Sequence, residues 1–320
     1  MMRIIGRTRA FIAVVACAAL LTACGSGPSQ MSSAAIVGDR SVELGAVQHE
    51  IQWLLDNVPE AKQAQDQRKL DAESRKIVQG RVIHELVSVA AQREGLRTDE
   101  RQVAELIDGS GGLEQAAKAV QVEPGRVRDV ASDQVLLQDL GRRYLDRLSV
   151  ALVGTVITEE QPGNTAKDQA LELGRKIAAE PARAAEIVQQ SGQRLVDEKE
   201  RLSLGAEAQN GSEIASSAVF GAKEGTVLVI QPSQQQAGWL VALVKDRSTE
   251  QVPGGDPGFG QQADPRLLYT IGVRMLQPIA DELGVRVNPR YGVWDATAMS
   301  LAANENEITG FQLMPRTVQP

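Results

Sequence analysis

The chain has 320 residues, 42% of them hydrophobic and 23% charged, a globular balance long enough for about two domains that excludes a disordered tail and a multispan membrane protein. Two histidines and 3% aromatics exclude, by count, a three-imidazole zinc centre and an aromatic platform for stacked bases. The formal charge of -7, more negative still once three N-terminal arginines are set aside, argues against a nucleic-acid partner, because phosphate contacts need a basic face.

Arg3, Arg7 and Arg9 precede an apolar run from Phe11 to Leu21, which is too short for the ~20 residues of a bilayer span and reads as a secretory signal over residues 1–23. It ends in Leu21-Thr22-Ala23-Cys24, similar to a bacterial lipobox: small residues admit the peptidase, and the Cys24 thiol takes the lipid. The expected mature protein is lipid-anchored through Cys24 on the extracytoplasmic face of the cell membrane, with residues 24–33 as a small polar tether. An ordinary export signal with an incidental Cys24 is the alternative. Cys17 leaves with the signal, so disulfides and thiol redox chemistry are not expected.

Ala34–Val37, the Gly38-Asp39 turn and Ser41-Val42 predict a short hairpin. A helix follows from Leu44, with Val47, Ile51 and Leu54 on its stripe and Trp53 and Leu55 flanking it. A longer helix over about 71–94 is apolar on two sides, through Val78, Val82, Leu86 and Val89 and through Ile83, Val87 and Ala90, and should be central. Thr98-Asp99-Glu100 caps a short helix to Asp108 that the SGGL segment at Ser110 breaks, and Pro124 opens a helix with Val130, Leu137, Leu140, Tyr144 and Leu148 on one face. Residues 150–157 form a β-type run, 166–179 and 181–191 are helices, 216–220 is a short helical piece, and 226–230 and 238–244 are strands, a small α+β arrangement. Gln251–Pro265 is a Gly/Pro-rich linker. Arg266–Leu283 reads as one helix despite Pro278, followed by a strand at 285–287.

Ala35-Ile36-Val37-Gly38-Asp39-Arg40-Ser41-Val42-Glu43-Leu44 resembles the opening of SurA-type and PrsA-type extracytoplasmic chaperones. Ala218-Val219-Phe220-Gly221-Ala222-Lys223-Glu224-Gly225-Thr226-Val227 and Gly238-Trp239-Leu240-Val241-Ala242-Leu243-Val244-Lys245-Asp246-Arg247 are similar to a parvulin turn and to the last parvulin strand. Asn288-Pro289-Arg290-Tyr291-Gly292 and Trp294 look like the actinobacterial lipoprotein branch. The resemblance implies a mainly helical α+β fold: a SurA-like helical module (34–149) completed by a returning C-terminal helix and strand (266–292), an inserted parvulin-like domain (150–250), a linker (251–265) and a tail (293–320). It also implies unfolded or secreted proteins as clients. Parvulin isomerases carry two core histidines, one in the first strand and one in the last, where this sequence has Gly154 and Leu240, so the domain is expected to lack isomerase chemistry. An active prolyl isomerase with a non-standard site, and a non-catalytic scaffold for one envelope partner, stand as alternatives.

No Gly-rich phosphate loop, Cys-x-x-Cys pair or His-Glu-x-x-His stretch is present, and the sequence calls for no cofactor or metal. His49 and His84, both in N-terminal helices, read as packed or surface residues rather than ligands. Trp53, Leu54, Val87, Phe220 and Trp239 are client-binding candidates or core. The client surface is expected to be concave and apolar, between the helical module and the small domain. The run Asp197-Glu198-Lys199-Glu200-Arg201 reads as a solvated face.

Overall fold

The computed structural model describes residues 31–160, 162–196, 201–232, 238–252 and 258–315. The signal, Cys24 and most of the tether lie outside the described residues, as do residues 197–200 of the charge run. The fold is mixed α+β and mainly helical. No helix among the described residues is long and apolar enough to cross a membrane.

The chain opens with the hairpin β1 (Ser33–Val37) and β2 (Arg40–Glu43), turned at Gly38, whose φ of 61° favours glycine. Helices α1 (Leu44–Asn57), α2 (Pro59–Asp66), α3 (Leu70–Glu94), α4 (Glu100–Gly109), α5 (Leu113–Val120) and α6 (Pro124–Leu145) follow. The left-handed Gly95 ends α3, and the Asp99 carboxylate caps α4 by accepting from the backbone N–H groups of Arg101 and Gln102. Two of these helices were not expected. α2 is a polar stretch opened by Pro59, and α5 starts where the sequence suggested only a break, because Gly111 and Gly112, both with φ of 87°, turn the chain between two helices.

A five-stranded sheet comes next, in the order β10-β5-β6-β3-β4, formed by β3 (Ser149–Ile157), β4 (Leu202–Ser203), β5 (Val227–Ile230), β6 (Trp239–Ser248) and β10 (Gly310–Leu313). Between these strands lie α7 (Ala166–Ala179), α8 (Ala184–Gln190) and α9 (Leu204–Gln209). The period of two along the strands sorts their residues between two cores. Val153, Val227, Val229, Val241 and Leu243 pack under Ala170, Leu173, Ile177 and Val188 of α7 and α8. Leu152, Leu228, Ile230, Leu240, Ala242 and Val244 join a cluster that runs without a break through Phe220, Leu145 and Leu137 to Leu86 and Leu54 of the helical part. The space expected to be an open apolar cleft between the two modules is therefore filled core.

After α10 (Phe259–Gln262), the stretch expected as one helix is two, α11 (Pro265–Met275) and α12 (Gln277–Leu283). Pro278 has no N–H to donate and its ring crowds the preceding turn, so it is accepted only in the first turn of the second helix. Gly221 sits in the elbow: a Cβ there would lie 2.8 Å from the Arg274 carbonyl oxygen. β7 (Val285–Val287) returns to pair antiparallel with β1, Ala35 opposite Val287, as the sequence leads one to expect.

The segment after 292, expected to be a tail, is structured. β8 (Val293–Asp295) and β9 (Ser300–Ala302) form a hairpin, and β10 pairs antiparallel with β5 as an edge of the five-stranded sheet. The buried Asp295 carboxylate holds this crossing together. It accepts from the backbone N–H groups of Thr297, Ala298 and Thr309 and from both threonine hydroxyls.

Candidate functional site

An open groove of about 500 Å³ lies between α3, α6 and α11. Each helix contributes residues at the spacing that brings side chains onto one face: Lys76, Gln79, Gly80 and Ile83 from α3, Val130, Asp133, Gln134 and Leu137 from α6, and Arg266, Tyr269 and Thr270 from α11. Ile83 and Leu137 are buried in its floor, Tyr269 remains 39% exposed, and the Gln79, Gln134 and Gln138 amides line its flanks. Gly80 matters by what it lacks, since no atom lies within 4 Å of where its Cβ would be.

The α6–α11 wall depends on two glycines. A Cβ on Gly141 would lie 2.0 Å from the Leu268 carbonyl oxygen, and one on Gly272 would lie 2.0 Å from that of Leu137. The same Leu-x-x-x-Gly spacing on both helices gives a reciprocal backbone-to-backbone contact.

Asp133, the acid in the groove lining, bridges α6 to α3 through His84, whose Nδ1 lies 2.9 and 3.0 Å from the two carboxylate oxygens. The hydrogen bond to Asp133 raises the His84 pKa above its ordinary value, against an opposing effect of burial. Burial pushes Asp133 up while His84 pulls it down. The Nδ1 contact to both oxygens favours a proton held between ring and carboxylate, in keeping with the rise at His84. On the far side of α3, the almost fully buried Glu50 meets Arg81 at 2.6 Å, with Arg126 at 3.9 Å, and Glu123 accepts from Arg81 and contacts His49. This network ties α1, α3 and the start of α6 together. Its own residues therefore use its charges.

Gly154 and Leu240, the positions compared above with the parvulin histidines, both lie in the five-stranded sheet, and at Gly154 the backbone leaves no room for a side chain. Gly154 pairs with Ala242 on one side and bridges to Val196 on the other, and a Cβ there would lie 1.9 Å from the Val241 carbonyl oxygen. Leu240 is buried in the core opposite Val156. Neither histidine lies in this sheet: His49 is exposed on α1 and His84 faces α6. Leu54, Val87 and Phe220 are core residues closed to a client, while Trp53 is partly buried against the helical cores. Trp239 is half-buried, with the Lys167 ammonium 5.6 Å from its ring and 5.5 Å from that of Phe311. Arg201, the described end of the charge run, pairs with Asp246. Among the described residues no group of three His, Cys, Asp or Glu side chains is placed to hold a metal.

The groove residues Lys76, Gln79, Gly80, Asp133, Arg266 and Tyr269 escape a search guided by apolar stripes. The available signal was the polar or small residue repeating at three and four beside each stripe, most visibly Gly80 inside a 25-residue helix.

No protein-family model matches the sequence, and no curated protein matches it. Among solved structures the chain is similar to the foldase protein PrsA from Lactococcus lactis, at 13% identity over 80% of this chain and 94% of that one, with a TM-score of 0.28. At that score the superposition carries no argument about fold or activity.

Proposed function

We propose that this protein is a membrane-anchored, extracytoplasmic chaperone that holds apolar segments of unfolded or secreted proteins in the α3–α6–α11 groove, with a parvulin-like sheet that is catalytically inactive. The observation that carries the reading is the groove itself. Its apolar floor removes hydrophobic side chains from water, and its amide flanks offer donors and acceptors to a peptide backbone without selecting a sequence. Its volume lies within the range of ~300–1,000 Å³ typical of ligand sites, enough for a few side chains rather than a folded domain. Inactivity rests on Gly154 and Leu240. Isomerisation must lower a barrier of ~18–20 kcal/mol, and neither position carries a polar side chain that could act on an imide. The anchor rests on Leu21-Thr22-Ala23 before Cys24.

The deciding experiment is Gly80→Trp, which fills the groove from a position with free space around it. The variant should keep its helical circular dichroism, lose most suppression of client aggregation, and, like the parent, show no acceleration of prolyl-peptide isomerisation. Undiminished suppression would place the client elsewhere. Cys24→Ala should release the chain from salt-washed membranes, and its retention there would refute the lipid anchor.

A further inference from the structure

On the reading that the groove holds clients, we infer that it selects apolar segments bearing a lysine or arginine, and that His84 gates this selection by competing with the basic side chain for Asp133.

Asp133 is the acid among the described groove-lining residues, and it is buried where a charge interacts more strongly than in water. Its hydrogen-bond partner among the described residues is His84, a single Nδ1 shared across both oxygens. A carboxylate offers about four acceptor sites, so this contact leaves capacity on each oxygen. The lining cations do not use it: Lys76 donates to Glu73 at 3.0 Å, and Arg266 sits exposed at the rim, where salt screens it. Asp129 and Arg126 on α6 act on the pair with opposite signs, Tyr269 faces it from α11, and Arg81 on α3 is held by Glu50.

With His84 protonated, the pair is neutral and a client cation gains little. With His84 neutral, a buried carboxylate is left uncompensated, a costly state that an ammonium or guanidinium relieves. Because Asp133 holds the His84 proton more tightly than usual, the change falls above the ordinary histidine value, and basic clients should bind more tightly as pH rises through it. Reciprocity requires that binding such a client lower the His84 pKa.

The test uses the full chain in detergent and two labelled apolar peptides differing in one central residue, lysine or norleucine, followed by fluorescence anisotropy from about pH 5.5 to about pH 9. The lysine peptide should gain about fivefold or more in affinity across the range, while the norleucine peptide stays level. His84→Gln should flatten the lysine profile at its high-affinity end, and Asp133→Asn should abolish the preference for lysine. NMR gives a reading that needs no variant: with two histidines in the chain, His84 is distinguishable from His49, and its titration should move to lower pH when the lysine peptide binds. A lysine preference with no pH dependence, no preference at all, or an unmoved His84 titration overturns the inference. If the norleucine peptide binds and Gly80→Trp blocks it, the chaperone reading survives that failure. If neither peptide binds, both fall.

Discussion

Replacing Gly141 by alanine is a small change that the structure makes severe. In an exposed helix interior the change stabilises by ~0.8–1.0 kcal/mol, because glycine loses more backbone freedom on folding. At Gly141 the new methyl would sit 2.0 Å from the Leu268 carbonyl oxygen and 2.8 Å from its carbon. Both are main-chain atoms inside α11, so no rotamer change relieves the clash, and the helices must part by about 1 Å or more to reach a tolerated distance near 3.0 Å. That displacement loosens the contacts of Leu137, Leu140, Leu268, Ile271 and Met275, all buried along the crossing. A gap of that size forfeits about a quarter to a half of the dispersion energy across it. Overpacking typically costs ~1–3 kcal/mol and occasionally more; since this clash is backbone on backbone, we expect a net loss of about 2–3 kcal/mol after the propensity gain. Gly272→Ala should behave alike, and the double variant should cost less than the sum, because helices already parted accommodate the second methyl. Gly80→Ala, with nothing within 4 Å, should stabilise by up to ~1 kcal/mol. Guanidinium unfolding followed by circular dichroism reads these as shifts of midpoint at constant slope. A Gly141→Ala protein as stable as its parent would refute the close crossing.

Other expectations test the remaining joints of the fold. Glu50→Ala removes the buried acid shared by Arg81 and Arg126, leaving Arg81 only its longer ion pair with Glu123 and Arg126 its 3.9 Å contact with Asp129, and should cost roughly 3 kcal/mol in equilibrium unfolding; a loss under about 1 kcal/mol would mean the pair is hydrated. Asp295→Ala removes the acceptor for five donors and should destabilise by about 3 kcal/mol, with faster amide exchange in β10 as the local signature. The folded-state pKa of His84 is raised, so its contribution to stability is fully present below the ordinary histidine value and is lost as pH rises through the folded-state value. Urea midpoints of His84→Gln should therefore lack a decline in that window that the parent shows, and identical profiles would count against the pair.

Local pattern determined much of this molecule. The Gly38 turn, the stripes of α1, α3 and α6, the apolar runs of β5 and β6, and the β1–β7 pairing follow from periodicity, turn chemistry and the resemblance of the hairpin segment. What tertiary structure alone decided is how faces are used. The sequence shows that Leu240, Phe220 and Leu86 are apolar, but whether they line a cleft or fill one depends on how close two layers approach, and the close approach at Gly141 and Gly272 brings α11 onto α6. The residues of 293–313 carry weak strand signals, and their place at the sheet edge is set by Asp295 gathering donors across the loop after β8. The groove likewise exists only where three separate helices meet. Lys76, Asp133 and Tyr269 are ordinary polar-face residues on their own helices, and become neighbours through a packing that no single helix encodes.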